Sequence, residues 1–167
     1  FVGLDLNGGR QSFRGDTLTV RREDSRTLVA HYFPILGIQK AGQADLKQEP
    51  FLEVDHHEIV ALAERLVNGS RDPRVITERI NQWVYDSLRK EVTIGIPSAL
   101  HVLHTRAGDC NEHTQLFVAL ARAAGIPARI ATGLAYVDGK FYYHAWPEVM
   151  LRNWVAVDPT FGQFPAD

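Results

Sequence analysis

Three reactive side chains punctuate the C-terminal part of the sequence: a thiol at Cys110, an imidazole at His144 and a carboxylate at Asp158. Cys110 is the one cysteine of the chain, and the residues around it, Arg106-Ala107-Gly108-Asp109-Cys110-Asn111-Glu112-His113, mark a helix start. Asp109 with Glu112 three residues on has the form of a capping box; Leu116, Phe117, Leu120, Ala121 and Ala124 then recur at helical spacing. Cys110 therefore falls in the first turn, where unpaired backbone N–H groups and the positive end of the helix dipole favour an anion. Such a setting lowers a thiol from its ordinary value of about 8.5 toward neutrality, so a reactive thiolate is expected there. Position alone leaves an inert, buried thiol an equally good reading, because free cysteine is often a small core hydrophobe. The residues downstream decide between them.

His144 and Asp158 each sit on a stretch that reads as a strand. Phe141 to Trp146 is aromatic-rich and follows Asp138-Gly139, a dipeptide suited to a type I′ hairpin turn. Trp154 to Asp158 is a second strand, stopped by Pro159, and Leu151-Arg152-Asn153 is the place to reverse direction. A hairpin folded about Leu151 sets His144 directly opposite Asp158, with Cβ atoms about 4.5–5.5 Å apart. A thiol at a helix start, with an imidazole and a carboxylate paired nearby, is the nucleophile, base and orienting group that covalent catalysis requires.

These blocks carry a resemblance. Thr105 to His113, the run to Ala124-Gly125-Ile126-Pro127-Ala128-Arg129, Tyr143-His144-Ala145-Trp146 and Val157-Asp158-Pro159-Thr160 resemble the transglutaminase-like superfamily, in that order and at its intervals. The resemblance runs from Asp55 to Phe164 and is nearest to the bacterial members. It implies a papain-like α+β core, helices packed on an antiparallel sheet, with a Cys-His-Asp triad of Cys110, His144 and Asp158. The expected chemistry is acyl transfer through a thioester on peptide or protein amides. The Cys110 N–H is one oxyanion donor; no upstream residue matches a motif for the second. A silent interaction domain of the same fold is the alternative, and an arylamine acetyltransferase-type enzyme a third reading that only the triad logic favours. Hydrolysis or peptide-directed transfer is favoured over cross-linking of folded proteins. The sequence shows neither an acidic cluster with calcium-loop spacing nor a second cysteine for a redox latch.

The elements that must position the three side chains follow from periodicity. Asp55 and Glu58 form a second capping pair ahead of Ile59, Leu62, Ala63, Leu66 and Val67, with Gly69 as the left-handed stop. Asp72-Pro73 opens another helix, carrying Val75, Ile76, Ile80, Trp83, Val84 and Leu88. Lys90 to Pro97 reads as a loop that helps to build specificity, and Ser98 to Leu103 as a short helix. The cysteine helix ends at Gly125 in a Schellman arrangement with Ile126, ahead of Pro127. Arg129 to Tyr136 is the first core strand, with Gly133 marking a bulge or a close backbone approach. Residues 51–167 are the expected catalytic core. Residues 1–50 are a β-rich extension or the end of a preceding domain: Val2 to Leu6, Thr17 to Val20 and Leu28 to Phe33 alternate, Asn7-Gly8 suggests a hairpin, and Gly37 to Pro50 reads as a connecting loop.

The composition sets outer bounds. With 167 residues, 45% hydrophobic and 23% charged, the chain is long enough for one sizeable core. A net charge of -2 with acids and bases interspersed gives no footprint for nucleic acid. No apolar run reaches the roughly 20 residues of a membrane span. The chain starts at Phe1 without a visible signal peptide and is read as an excised piece of a longer protein, which hides any targeting segment. No metal or cofactor is expected. His113 with Cys110, His144 and Asp158 is a poor zinc set, because structural sites normally use two or more cysteines. His113 is expected to pack beside its helix, His56, His57, His101 and His104 to face water or cap, Glu112 to serve the cap, Trp83 to join the core and Trp146 to share a face with His144.

Overall fold

Every residue from Leu116 to Ala121 is fully buried, so this part of the helix that carries them, Cys110–Ala123, is enclosed on all sides and forms the centre of the fold. Burial of side chains such as Phe117 and Leu116 contributes about 1.5–3 kcal/mol each. The computed structural model describes residues 5–8, 11–21, 44–93, 95 and 97–166. The strands expected near Val2 to Leu6 and Leu28 to Phe33 lie wholly or partly outside the described residues, as does the loop before Ala44.

In chain order the elements are β1 (Gln11–Arg14), β2 (Thr17–Val20), a 3-10 turn at Ala44–Leu46, α1 (His57–Val67), α2 (Pro73–Ser87), β3 (Arg89–Lys90), α3 (Ala99–Thr105), β4 (Ala107–Gly108), α4 (Cys110–Ala123), β5 (Ala128–Val137), β6 (Lys140–Met150) and β7 (Trp154–Ala156). β1 and β2 form a separate antiparallel hairpin. β3 and β4 pair in parallel for two residues, tying the end of α2 to the approach to Cys110. β5, β6 and β7 make an antiparallel sheet in that order. α4 packs on this sheet from one side and on α1, α2 and α3 from the others, an α+β arrangement of helices around one central helix and sheet.

Local rules account for most boundaries. Asp72 caps α2 through Arg74 and Val75 N–H groups, with Pro73 in the first turn. Ser98 caps α3, which runs two residues beyond the expected stretch. α4 ends in the Schellman pattern: Ile126 N–H donates to Ala121 O and Gly125 N–H to Arg122 O, with Gly125 at φ 80°. Asp138 and Gly139 both have positive φ, as a two-residue turn between Val137 and Lys140 requires. α1 departs from expectation. Its cap is His56 rather than Asp55, with the His56 ring accepting from Glu58 N–H, while the Glu58 carboxylate is drawn to His104 Nε2 at 3.0 Å.

The last hairpin also departs from expectation. Glu148 pairs with Ala156, Val149 with Val155 and Met150 with Trp154, so the chain reverses about Arg152 and not about Leu151. Leu151, just past the end of β6, is buried, and its N–H donates to Asn153 O across the turn. β7 ends at Ala156, and Asp158 lies beyond it. Extending the register sets Asp158 opposite Trp146, one diagonal step from His144. A shift of two residues preserves side-chain parity, so both groups still share a face.

The stretch before α1 belongs with the core. Arg122, in the last turn of α4 and 5% exposed, donates to Ala128 O, Lys47 O and the Glu49 carboxylate. One guanidinium thereby joins the 3-10 segment, the end of α4 and the start of β5.

Candidate active site

The start of α4 is built by its own sequence. The Asp109 carboxylate accepts from Asn111 N–H at 2.8 Å, and Asp109 N–H donates to Glu112 Oε2 at 2.9 Å, completing the capping box. The second Glu112 oxygen accepts from the Thr93 hydroxyl, which pins the loop between β3 and α3 to the helix start. Burial pushes the Glu112 carboxyl up, but the hydrogen bonds from Thr93 and Asp109 outweigh it and hold the group below the ordinary value. Gly108 is required by contact: a Cβ there would collide with the Glu112 side chain. Cys110 is the first helical residue and half-buried, with its N–H at the unpaired end of the helix.

His144 comes from the middle of β6 and is 7% exposed. Its Nε2 lies 2.6 Å from Asp158 Oδ2, and Cys110 is a close enough neighbour to strengthen the ring's hold on a proton. With Nε2 engaged by the carboxylate, Nδ1 is the nitrogen left for the sulfur. Asp158 is itself held by a tight turn: its Oδ1 accepts from Thr160 and Phe161 N–H groups at 2.9 and 3.1 Å, and its backbone exchanges two bonds with Gln163. The three side chains proposed from sequence therefore lie together, through a diagonal contact at the strand end in place of the expected cross-strand pair.

Burial alone would keep the His144 ring neutral. The hydrogen bond to Asp158 and the neighbouring Cys110 outweigh that cost and push its pKa up to about 9. The ring is thus a cation at neutral pH, able to give a proton to a departing group. Two aromatic rings flank it: Trp146, stacked at 6.1 Å between centroids, and Phe161 at 5.3 Å. Trp146 shares a face with His144 as its spacing implies. Phe161 escaped the sequence reading, although its position three residues after Asp158 is a turn-length signal. Gly133, the ladder partner of His144, marks neither a bulge nor a backbone approach, because the β5–β6 register is continuous there and the indole of Trp146 lies over it.

His113 is fully buried. Its Nδ1 donates to Asp109 O at 2.7 Å, and burial chiefly holds the ring below its ordinary value. Among the described residues no group of three or more His, Cys, Asp or Glu side chains is placed to hold a metal ion. Against the first turns of α4 opens a cavity of about 210 Å³, walled among the described residues by Gly95, Pro97, Asn111, Thr114, Gln115, Ile130 and Ala145. Its polar wall is the i, i+3, i+4 face of α4 that starts at Asn111. That break in an apolar helix was the sequence signal for it.

Residues 60–159 match the family model of the transglutaminase-like superfamily. A candidate cysteine protease of known structure from Cytophaga hutchinsonii is similar, with a TM-score of 0.69 and 26% identity over 78% of this chain and 45% of that one. The periplasmic domain of TgpA from Pseudomonas aeruginosa has a TM-score of 0.55 and 22% identity over 71% of this chain and 46% of that one. A candidate protease from Parabacteroides distasonis gives 0.53 and 16%, over 65% and 24%. The last two speak for the fold alone. The chain spans less than half the length of each of these three structures. No curated protein matches it.

Proposed function

Because the chain belongs to the transglutaminase-like superfamily, we propose that it is a cysteine-dependent enzyme that cleaves or transfers peptide or protein amides through a thioester. The observation that carries this reading is the His144 imidazole between Cys110 and Asp158, with a 2.6 Å bond to the carboxylate.

The Cys110 sulfur attacks the amide carbonyl, and the developing oxyanion is met by the Cys110 N–H at the helix start. As the tetrahedral adduct collapses, the C–N bond breaks and His144 Nδ1 gives its proton to the departing amine. Asp158 keeps Nε2–H engaged, fixes the ring orientation and balances its charge. The acyl group remains on Cys110 as a thioester. His144, now neutral, takes a proton from water or from an acceptor amine, whose attack releases the acyl product and restores the thiol. Hydrolysis is the favoured branch. Transfer requires an amine to outcompete water, and Trp146 and Phe161 shield one side of the imidazole.

Intact-mass measurement after incubation with glutamine-containing and other peptides, with and without a millimolar primary amine, tests both parts of the proposal. Expected is a covalent acyl adduct on Cys110, lost in Cys110→Ser, with free acid exceeding amide product. Absence of any adduct, with Cys110 alkylated by iodoacetamide no faster than a model thiol, would favour a silent interaction domain. Predominant amide product at modest amine concentration would make transfer the main reaction.

A further inference from the structure

Acyl transfer as proposed above relies on one peptide group to meet the oxyanion, the unit between Asp109 and Cys110, and that unit is held from behind. Its carbonyl, Asp109 O, accepts twice from one residue: from His113 N–H at 3.2 Å and from the His113 ring Nδ1–H at 2.7 Å. The first bond is the ordinary helical one, whereas the second is an addition from the side chain. The Asp109–Cys110 bond is trans. The Cys110 N–H therefore points away from the carbonyl that His113 grips, out of the helix start.

The surroundings fix the state of the ring. A carbonyl oxygen only accepts, which assigns the imidazole proton to Nδ1. His113 is fully buried, and burial, the largest influence on its pKa, holds the ring below the ordinary value and so neutral at pH 7. Its Nε2 has no hydrogen-bond partner among the described residues. An apolar ring would fill the same space without desolvating that nitrogen. What the imidazole adds is the Nδ1–H on the Asp109 carbonyl. The capping box acts on other peptides: Glu112 takes the Asp109 N–H, and the Asp109 carboxylate takes the Asn111 N–H.

Resting on the acyl-transfer reading, we propose that His113 is a positioning residue for the oxyanion: it fixes the Asp109–Cys110 peptide so that the Cys110 N–H faces the developing charge. Two effects act together. The second bond on the carbonyl resists rotation of the peptide plane, which keeps the donor aimed before the charge forms. It also polarises the amide, and such coupling strengthens a neighbouring hydrogen bond by about 10–30%.

Two reactions of the same thiol test this. p-Nitrophenyl acetate acetylates Cys110 through a tetrahedral oxyanion, with the S–C bond formed and p-nitrophenolate expelled. Iodoacetamide alkylates the sulfur by displacing iodide at a saturated carbon, and no oxyanion develops. His113→Phe keeps a buried ring and removes the donor. His113→Asn loses the outer ring atoms and keeps an N–H as many bonds from the backbone as Nδ1. With Cys110→Ala as the blank, His113→Phe should slow acetylation at least about tenfold and leave alkylation within about twofold. His113→Asn should recover most of the acetylation rate. Equal falls in both reactions, unchanged acetylation in folded His113→Phe, or no recovery in folded His113→Asn overturns the proposal. Nitrogen NMR of the unsubstituted chain needs no variant: the His113 proton is expected on Nδ1 at neutral pH, and a proton on Nε2 instead overturns the proposal as well. No acetylation of the unsubstituted chain would remove the acyl-transfer reading, and this inference with it. That result is distinct from acetylation that His113→Phe leaves unchanged.

Discussion

The indole of Trp146 lies across Gly133 so closely that a Cβ on the glycine would come within 2.8 Å of Cη2. Gly133 is the ladder partner of His144, and Trp146 stacks on the same imidazole. A missing side chain on β5 thus makes room for the ring that lies against the candidate base on β6.

Gly133→Val should force the indole from this place. A clash of this kind between half-buried groups costs about 1–3 kcal/mol at most. Expected are a lower Tm and a fall in kcat/KM of at least about tenfold, since small misplacements of reacting groups are costly. Unchanged turnover in a folded variant would mean that the indole has no part in holding the imidazole.

Asp158→Asn should keep the fold, because the amide oxygen can still accept from Thr160 and Phe161 N–H groups. It presents an N–H or a weaker acceptor to His144 Nε2, so the ring loses the partner that fixes its tautomer. In a serine triad the equivalent change costs about 10⁴ in kcat. A loss of two to four decades is expected here, roughly, in peptide turnover. Near-normal rates would reduce Asp158 to a structural carboxylate.

The buried His144–Asp158 pair should also set a pH dependence of stability. His144 sits at about 9 in the fold against 6.5 for a free imidazole. A raised value means that the folded state holds the proton more tightly. The stabilisation is therefore complete below about 6.5 and is lost as pH rises through about 9. Its size is on the order of 3 kcal/mol. Thermal unfolding of the native chain should show Tm declining across this window, and Asp158→Asn should flatten the decline. Equal slopes for the two proteins would sink the pairing.

Glu112→Ala removes the acceptor of Asp109 N–H and of the Thr93 hydroxyl. Loss of the cap costs about 0.5–2 kcal/mol. Because Thr93 leads into Gly95 and Pro97 on the cavity wall, KM is expected to rise more than kcat falls. Glu112→Gln, which keeps an oxygen for one of the two donors, should recover part of the stability. A kcat effect without a KM effect would place the influence of Glu112 on Cys110 alone.

Arg122→Met leaves Ala128 O and Lys47 O without their donor. Glu49 is half-exposed, so the ion pair itself adds little. Hydrogen bonds to a charged donor are worth about 1.5–3 kcal/mol each, and the chain should lose roughly that much or more. Limited proteolysis should then cut between residues 44 and 49, where the native chain resists. Equal resistance in the variant would mean that other contacts hold this segment.

Local rules made much of the fold legible in the sequence. The caps at Asp72, Ser98 and Asp109, the Schellman end at Gly125 and the Asp138-Gly139 turn each depend on residues within about five positions of one another. The register of β6 and β7 depends instead on where the chain turns between Leu151 and Asn153, which periodicity in a short run does not settle. The cap at His56 replaced Asp55 because Glu58 is engaged by His104, 46 residues away. Arg122 reaches Lys47 across 75 residues and Thr93 reaches Glu112 across 19, so neither contact leaves a local signature. For the candidate site, residue types and order pointed to Cys110, His144 and Asp158, whereas the aromatic flank of Phe161 and the cavity face of α4 required the third dimension.

The Arg122 clamp has a bearing on where this unit can be cut or transplanted. The family match covers residues 60–159, yet two of the devices that brace the candidate site reach outside it. On one side Arg122 grips Lys47 and Glu49; on the other the Asp158 turn closes through Gln163, and Ala166 N–H returns to Ala156 O. A graft or truncation drawn at the limits of sequence similarity would keep all three reactive side chains and discard the strap on each flank. The smallest piece worth expressing, swapping or fusing therefore runs from Ala44 to Ala166.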